Sequence, residues 1–159
     1  MTSTNPKNVI HEIFEGTDTL SGLKAAVAGT GKPAASAYLG QRKELNKESP
    51  VLLVMFGGID RKFAGVGTKL YENSTTIELQ YMVYNGAEDN PLAEDEREDA
   101  MADIETAVAQ WFADHQKGTH YRSVIYPVEK TQPLPLKHID GNPYLIMSAY
   151  AVAETRDVT

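Results

Sequence analysis

The chain has 159 residues, 42% hydrophobic and 23% charged, with a formal net charge of -7 and no cysteine. That length bounds it to one domain with a real core, and the missing cysteine excludes disulfides, thiolate metal sites and a cysteine nucleophile. No apolar run approaches the roughly 20 residues of a membrane helix, and MTSTNPKNVIHEIFEG lacks the basic flank and apolar stretch of a secretory signal.

The charge is concentrated in one place. Residues 88–103 hold Glu88, Asp89, Glu94, Asp95, Glu96, Glu98, Asp99 and Asp103 against a single base, Arg97, so the run carries the whole net charge of -7. Such a surface is a solvated helix face, or one that repels a polyanion or attracts a basic partner. It argues against DNA affinity through this face.

In chain order, PKNVIHEIFE (6–15) predicts a short helix, capped by Thr4 or Asn5, started by Pro6 and stopped by Gly16. Val9, Ile10, Ile13 and Phe14 form its apolar face. SGLKAAVA (21–28) can make a second short helical piece, and GTGKP (29–33) breaks the chain. Residues 34–40 read as a short strand or an extended arm, so 17–40 stays open between helix, strand and arm. QRKELNKES (41–49) is a polar loop. PVLLVMF (50–56) is short and almost wholly apolar, which suits a central strand buried on both faces. Residues 57–74 carry four glycines and predict a long projecting hairpin or loop.

TTIELQYMVYN (75–85) alternates, with Ile77, Leu79, Tyr81 and Val83 on one face and Glu78, Gln80, Met82 and Tyr84 on the other. A long amphipathic helix follows over 90–118. Asn90 would cap it, Pro91 start it, and His115, Lys117 and Gly118 close it. Met101, Ile104, Val108 and Trp111 form its apolar stripe, and Ile104, Val108 and Trp111 are expected to pack on Ile77, Leu79 and Tyr81. HYRSVIYPVEK (120–130) is an edge strand by virtue of Pro127, and 131–142 is a proline-punctuated connection. PYLIMSAYAVAE (143–154) is a last, central strand, and 155–159 a loose tail. The order predicts a single α+β domain, a mostly antiparallel sheet with two helices on one face. The other face would show Met82, Tyr84, Met147 and Ala149, an incompletely covered surface of the kind that drives oligomerisation.

Catalytic chemistry is hard to assemble. GTGKP fails the phosphate-loop pattern at Ala26 and Pro33. HEIFE has half of a zinc-protease motif, with Glu15 in place of the second histidine, and His11 and Glu15 alone do not make a site. His115, His120 and His138 do not pair at ligand spacing, and the acids on a continuous helix lack the turning loop of a Mg²⁺ or Ca²⁺ cage. Arg61, Lys62, Lys69 and Arg122 are too scattered for a nucleic-acid patch. The expectation is a non-enzymatic protein with no cofactor and no metal.

The element order goes further. PVLLVMF after a polar loop, a glycine-rich excursion, TIELQYMVYN, an acidic helix with a Trp-bearing stripe, then YRSVIYPVEK and YLIMSAYAVAE together resemble the tail terminator proteins of long-tailed bacteriophages over roughly 50–154. The resemblance implies a virion protein at the head-proximal end of the tail, assembled in the host cytoplasm. It implies a homohexameric ring that caps the tail tube, stops its polymerisation and docks to the head. Its partners would be itself, the tail tube protein and a neck or head-completion protein. DNA would pass through without specific binding, and no membrane would be involved. On this reading Arg61, Lys62, Phe63 and Lys69 are interface residues, and Glu94, Asp95, Glu98 and Asp99 face the channel. The alternatives are another head–tail joining or tail-completion protein, or a small α+β ligand-binding domain.

Overall fold

A computed structural model describes residues 5–30, 35–63 and 70–158. Among these residues, three helices lie on one side of a six-stranded, mostly antiparallel sheet, an α+β architecture. Helix α1 (Pro6–Glu15) forms as its sequence dictates. The Asn5 side chain accepts from the Lys7 N–H at 2.9 Å, and Val9, Ile10, Ile13 and Phe14 are buried. Gly16 ends it at φ +87°, where a Cβ would meet the Leu20 carbonyl oxygen at 2.2 Å. Helix α2 (Leu23–Ala28) buries Leu23 and Val27. Strand β1 (Ser36–Leu39) then pairs parallel with β2 (Val51–Phe63), so the open stretch 17–40 contains a short helix and an edge strand.

Strand β2 is central, as its unbroken apolar run requires, between β1 and β3 (Leu70–Tyr84). The two arms of the glycine-rich segment are strand, paired from Val51↔Met82 to Phe63↔Tyr71 with a bulge between Phe56 and Gly58. Its tip, 64–69, lies outside the described residues. Strand β6 (Asn142–Val158) pairs with β3 along its whole length, Tyr84↔Tyr144 to Leu70↔Val158. Residues 155–158 are therefore not a loose tail. Because β3 runs on to Leu70, its outer edge is available, and β6 satisfies those backbone groups.

Three further expectations change. The helix does not begin at Asn90. A 3-10 turn (Glu94–Glu96) leads into α3 (Arg97–Asp114). The Asn90 amide instead closes the preceding loop, donating to the Tyr84 and Gly86 carbonyls at 2.8 and 2.6 Å while its oxygen accepts from Leu92 N–H at 3.0 Å. At the other end α3 stops at His115, whose Nδ1 donates to the Trp111 carbonyl at 2.7 Å. Second, only Ser123–Ile125 of the segment before Pro127 forms a strand, β4. Third, the connection 131–142 is mostly strand β5 (Gln132–Ile139), joined to β6 by a two-residue Asp140–Gly141 turn. Both turn residues have positive φ, 50° and 80°, the geometry an Asp-Gly hairpin favours. Strands β4 and β5 share one edge of β6, where prolines are tolerated, and Pro135 falls inside the register break between Leu134 and Lys137.

The core has two sides. Beneath the helices, Ile77, Leu79 and Tyr81 meet Ile104, Val108, Trp111 and Phe112 of α3 together with the apolar face of α1. Opposite Ile77 and Leu79 stand Ala151 and Ala149, so large side chains on β3 are matched by small ones on β6 and α3 can approach closely. Full burial of Ile104 and Val108 is worth roughly 1.5–3 kcal/mol each, far above any helix-propensity difference in this stretch. Met147 and Ala149 thus lie on the helix side. The opposite face carries Met82, Tyr84, Tyr144 and Ile146, covered by Leu45 from the 40–50 loop and by Ile139 of β5. That loop is anchored: Ser49 Oγ accepts from the Tyr84 N–H at 3.1 Å, and Tyr144 donates its hydroxyl to the Glu48 carbonyl at 3.1 Å. Farther along the same face Ile125 and Tyr150 remain exposed.

Candidate functional site

All eight acids of the run 88–103 are exposed, Glu94, Asp95, Glu98 and Asp99 among them. The one base in the run is not at the surface with them. Arg97 is buried, donating from Nη1 to the Asn85 carbonyl at 3.1 Å and side-chain oxygen at 3.0 Å, and from Nε to the Leu92 carbonyl at 3.4 Å. The run's own guanidinium is therefore withdrawn from the acidic surface. Lys47 reaches its margin, with Nζ 3.5 Å from Asp89.

Of the expected interface residues, Arg61 is exposed on β2 and donates to the Asn73 side chain across the ladder at 3.4 Å. Lys62 and Phe63 occupy strand positions opposite Glu72 and Tyr71. Lys69 lies outside the described residues.

A second constellation was not anticipated. Glu12, only 8% exposed, sits on the buried face of α1 and reaches the chain after α3. Its carboxylate accepts from the backbone N–H groups of Thr119 (2.9 Å) and His120 (2.8 Å) and from His120 Nδ1 at 2.7 Å. Gly118 belongs to this contact. A Cβ there would lie 2.0 Å from Glu12 Oε2 and 2.3 Å from the Tyr121 ring, so the residue is glycine for close approach rather than as a helix stop. Tyr121 donates its hydroxyl to the His115 carbonyl at 2.8 Å, and burial, reinforced by the Glu12 charge, pushes its pKa up to about 12. A signal for this existed in the sequence: Glu12 follows Val9 by three residues and so shares its apolar face.

This corner opens on a groove of about 590 Å³ lined by Lys117, His120, Arg122, Ser123 and Glu154. Arg122 Nη2 lies 3.6 Å from both Glu72 and Glu154, and Ser123 donates to Glu154 at 3.4 Å. Holding Nδ1–H on Glu12 leaves His120 Nε2 as the free ring nitrogen, the arrangement of a base and its orienting carboxylate. Among the described residues no hydroxyl is hydrogen-bonded to that histidine, so a nucleophile does not complete the set. Nor, among them, do three His, Asp or Glu side chains converge on a metal position. His11 and Glu15 are exposed on α1.

A third polar set ties α3 to the sheet edge. Tyr126 donates to Glu105 at 3.0 Å, Thr131 donates to the same oxygen at 3.3 Å, and the Tyr81 hydroxyl meets that of Tyr126. Burial raises the pKa of both tyrosines. No helix is long and apolar enough to cross a membrane among the described residues. No protein-family model matches the chain, and a search of curated proteins returns no match.

Proposed function

We propose that this protein is a tail terminator of a long-tailed bacteriophage, a ring of six copies that caps the tail tube and presents the head-docking surface. The observation that carries the reading is the acidic end of α3. Eight carboxylates are exposed while Arg97 is turned inward onto carbonyls. A wall of net negative charge beside a DNA path repels phosphates and lets the duplex slide. The layering supports the same reading, since Ile125 and Tyr150 leave apolar surface on the face away from the helices, available for a neighbouring copy. In this assembly the protein is structural, with the tail tube on one side and a neck or head-completion protein on the other.

Native mass and negative-stain imaging of the purified protein test it, with a six-fold ring expected. Replacing Glu94, Asp95, Glu98 and Asp99 with lysine should then turn a DNA-indifferent ring into one that retains duplex DNA at low salt and releases it at high salt. A monomer at all concentrations, or a lysine ring that retains no more DNA than the parent, rejects the reading. The His120 groove favours a second reading, a small ligand-binding domain. Movement of the His120 ring resonances on screening small anionic ligands would support that one.

A further inference from the structure

Two apolar features on the helix side are left over from the fold. The first is a knob. After Gly16 the chain makes a tight turn, closed by the Gly16↔Ser21 bridge and by the Thr17 N–H on the Leu20 carbonyl at 2.8 Å. Thr17 Oγ1 also accepts from the Leu20 N–H at 3.2 Å. This turn holds Leu20 51% exposed, its only large apolar side chain, beside exposed Asp18. A pre-ordered turn that presents a leucine to water loses little entropy on docking. The second feature is a hole. At the other end of α1, a groove of about 500 Å³ has Ile10, Leu39, Val54 and Phe56 as its floor, with Phe56 52% exposed. Its rim carries Lys7 and His11, and among the described residues no acid lines it.

We infer that these two features are the halves of one contact: the Leu20 turn of one copy seats in the α1 groove of the next, with Asp18 against Lys7. Both surfaces are apolar, Asp18 and Lys7 carry opposite charge, and the chain supplies both halves. Because knob and hole sit at opposite ends of α1, one copy cannot satisfy itself, and a two-fold pair is not required. The contact is head-to-tail, the heterologous type that closes into a ring when the rotation allows. The inference deepens the ring reading and rests on it for the closure, though not for the contact.

The cysteine-free sequence makes the test direct. Chains carrying Leu20→Cys are mixed with chains carrying Phe56→Cys and oxidised. Both positions are exposed, so folding should be unaffected, and far-UV circular dichroism checks it. The mixture should give a cross-linked dimer in much higher yield than either variant alone. Leu20→Asp should weaken self-association at least ~10-fold, and Asp18→Lys should be rescued by Lys7→Glu in the partner chain. Equal cross-linking in the mixture and in the separate variants overturns the contact. If the parent protein is a ring while cross-linking fails, the contact is wrong and the ring stands. If cross-linking succeeds while the parent forms dimers or open filaments, the contact stands and the ring of six falls.

Discussion

Trp111 offers the sharpest test of the fold. It is the sole tryptophan, 6% exposed, edge-on to Phe112 with ring centroids 5.2 Å apart and stacked on His115 at 4.2 Å. Its Nε1–H donates to the Ser21 carbonyl at 2.9 Å, so it also ties α3 to the turn before α2. Trp111→Ala removes the indole from a cluster containing Ile77, Leu79 and Tyr81 and leaves a cavity, a change that typically costs about 3–5 kcal/mol. Trp111→Phe keeps much of the apolar volume and loses the hydrogen bond, leaving the Ser21 carbonyl to solvent. That should cost less, about 1–2 kcal/mol. For a chain of this size 1 kcal/mol moves the melting temperature by about 2–4 °C, so the alanine variant should melt about 6–20 °C below the parent. Far-UV circular dichroism is the right probe, because both variants lose the only indole fluorophore, and protein concentration must be held fixed since association shifts apparent stability. An alanine variant melting within 2 °C of the parent would mean that α3 does not cover the sheet through this residue.

Two further outcomes follow from the polar contacts. Glu12→Ala should destabilise the protein by about 2–4 kcal/mol, because it strands two backbone N–H groups and His120 Nδ1 that the carboxylate satisfies; unfolding in urea with an unchanged midpoint would sink this. Raising the pH should unfold the protein steeply above about pH 10, because burial lifts Tyr121 and Tyr144 to about 12 and raises Tyr81 and Tyr126. A folded pKa above the unfolded value gives stability that is full below pH 10 and lost as pH climbs through the folded pKa. Tyrosinate absorbance and circular dichroism should therefore change together for these four, and their titration in a fully folded protein would contradict the assignment.

Much of the architecture was legible because single residues made strong local statements. Pro6 and Gly16 bracket α1, and the apolar run of β2 is buried on both faces from Val51 to Met55, with Phe56 at its end exposed. The alternation in β3 assigns Ile77, Leu79 and Tyr81 to the helix side without ambiguity. Where both faces are apolar, alternation loses its sign. Strand β6 could be read in either phase, and only the register Leu79↔Ala149 puts its alanines under α3. Caps misled for a related reason. Asn90 and Pro91 have the local chemistry of a helix start, but the amide is used by Tyr84 and Gly86, so the helix waits until Arg97. The prolines of β5 concealed a strand whose edge position makes them harmless, although the Asp140–Gly141 pair has the chemistry of a hairpin turn. The Glu12 site needed a partner more than a hundred residues away, which no local pattern carries. The same is true of the Tyr81–Tyr126–Glu105 set.

The acidic run is close to neutral in its effect on helix stability. Glu94 and Glu98, and Asp95 and Asp99, stand four apart near the start of α3, each such like pair costing about 0.2–0.5 kcal/mol. Against this, carboxylates in the first turn gain about 0.3–1 kcal/mol each from the helix dipole. The two effects are of the same size, so the helix tolerates the run and needs no compensating cation. That explains how Arg97 can be withdrawn to hold Asn85 and Leu92 without weakening the helix start. It also bears on how charge reversal is interpreted. Four lysines at this end reverse the dipole term as well as the surface potential, so part of any loss of stability would be local. Four glutamines remove the charge without placing cations at the helix start, and they separate the two causes. If ring and fold survive glutamine, and DNA retention rises from acid through glutamine to lysine, the surface potential is responsible. If the glutamine variant already loses the ring, the acids hold the assembly together and the channel argument has the wrong object.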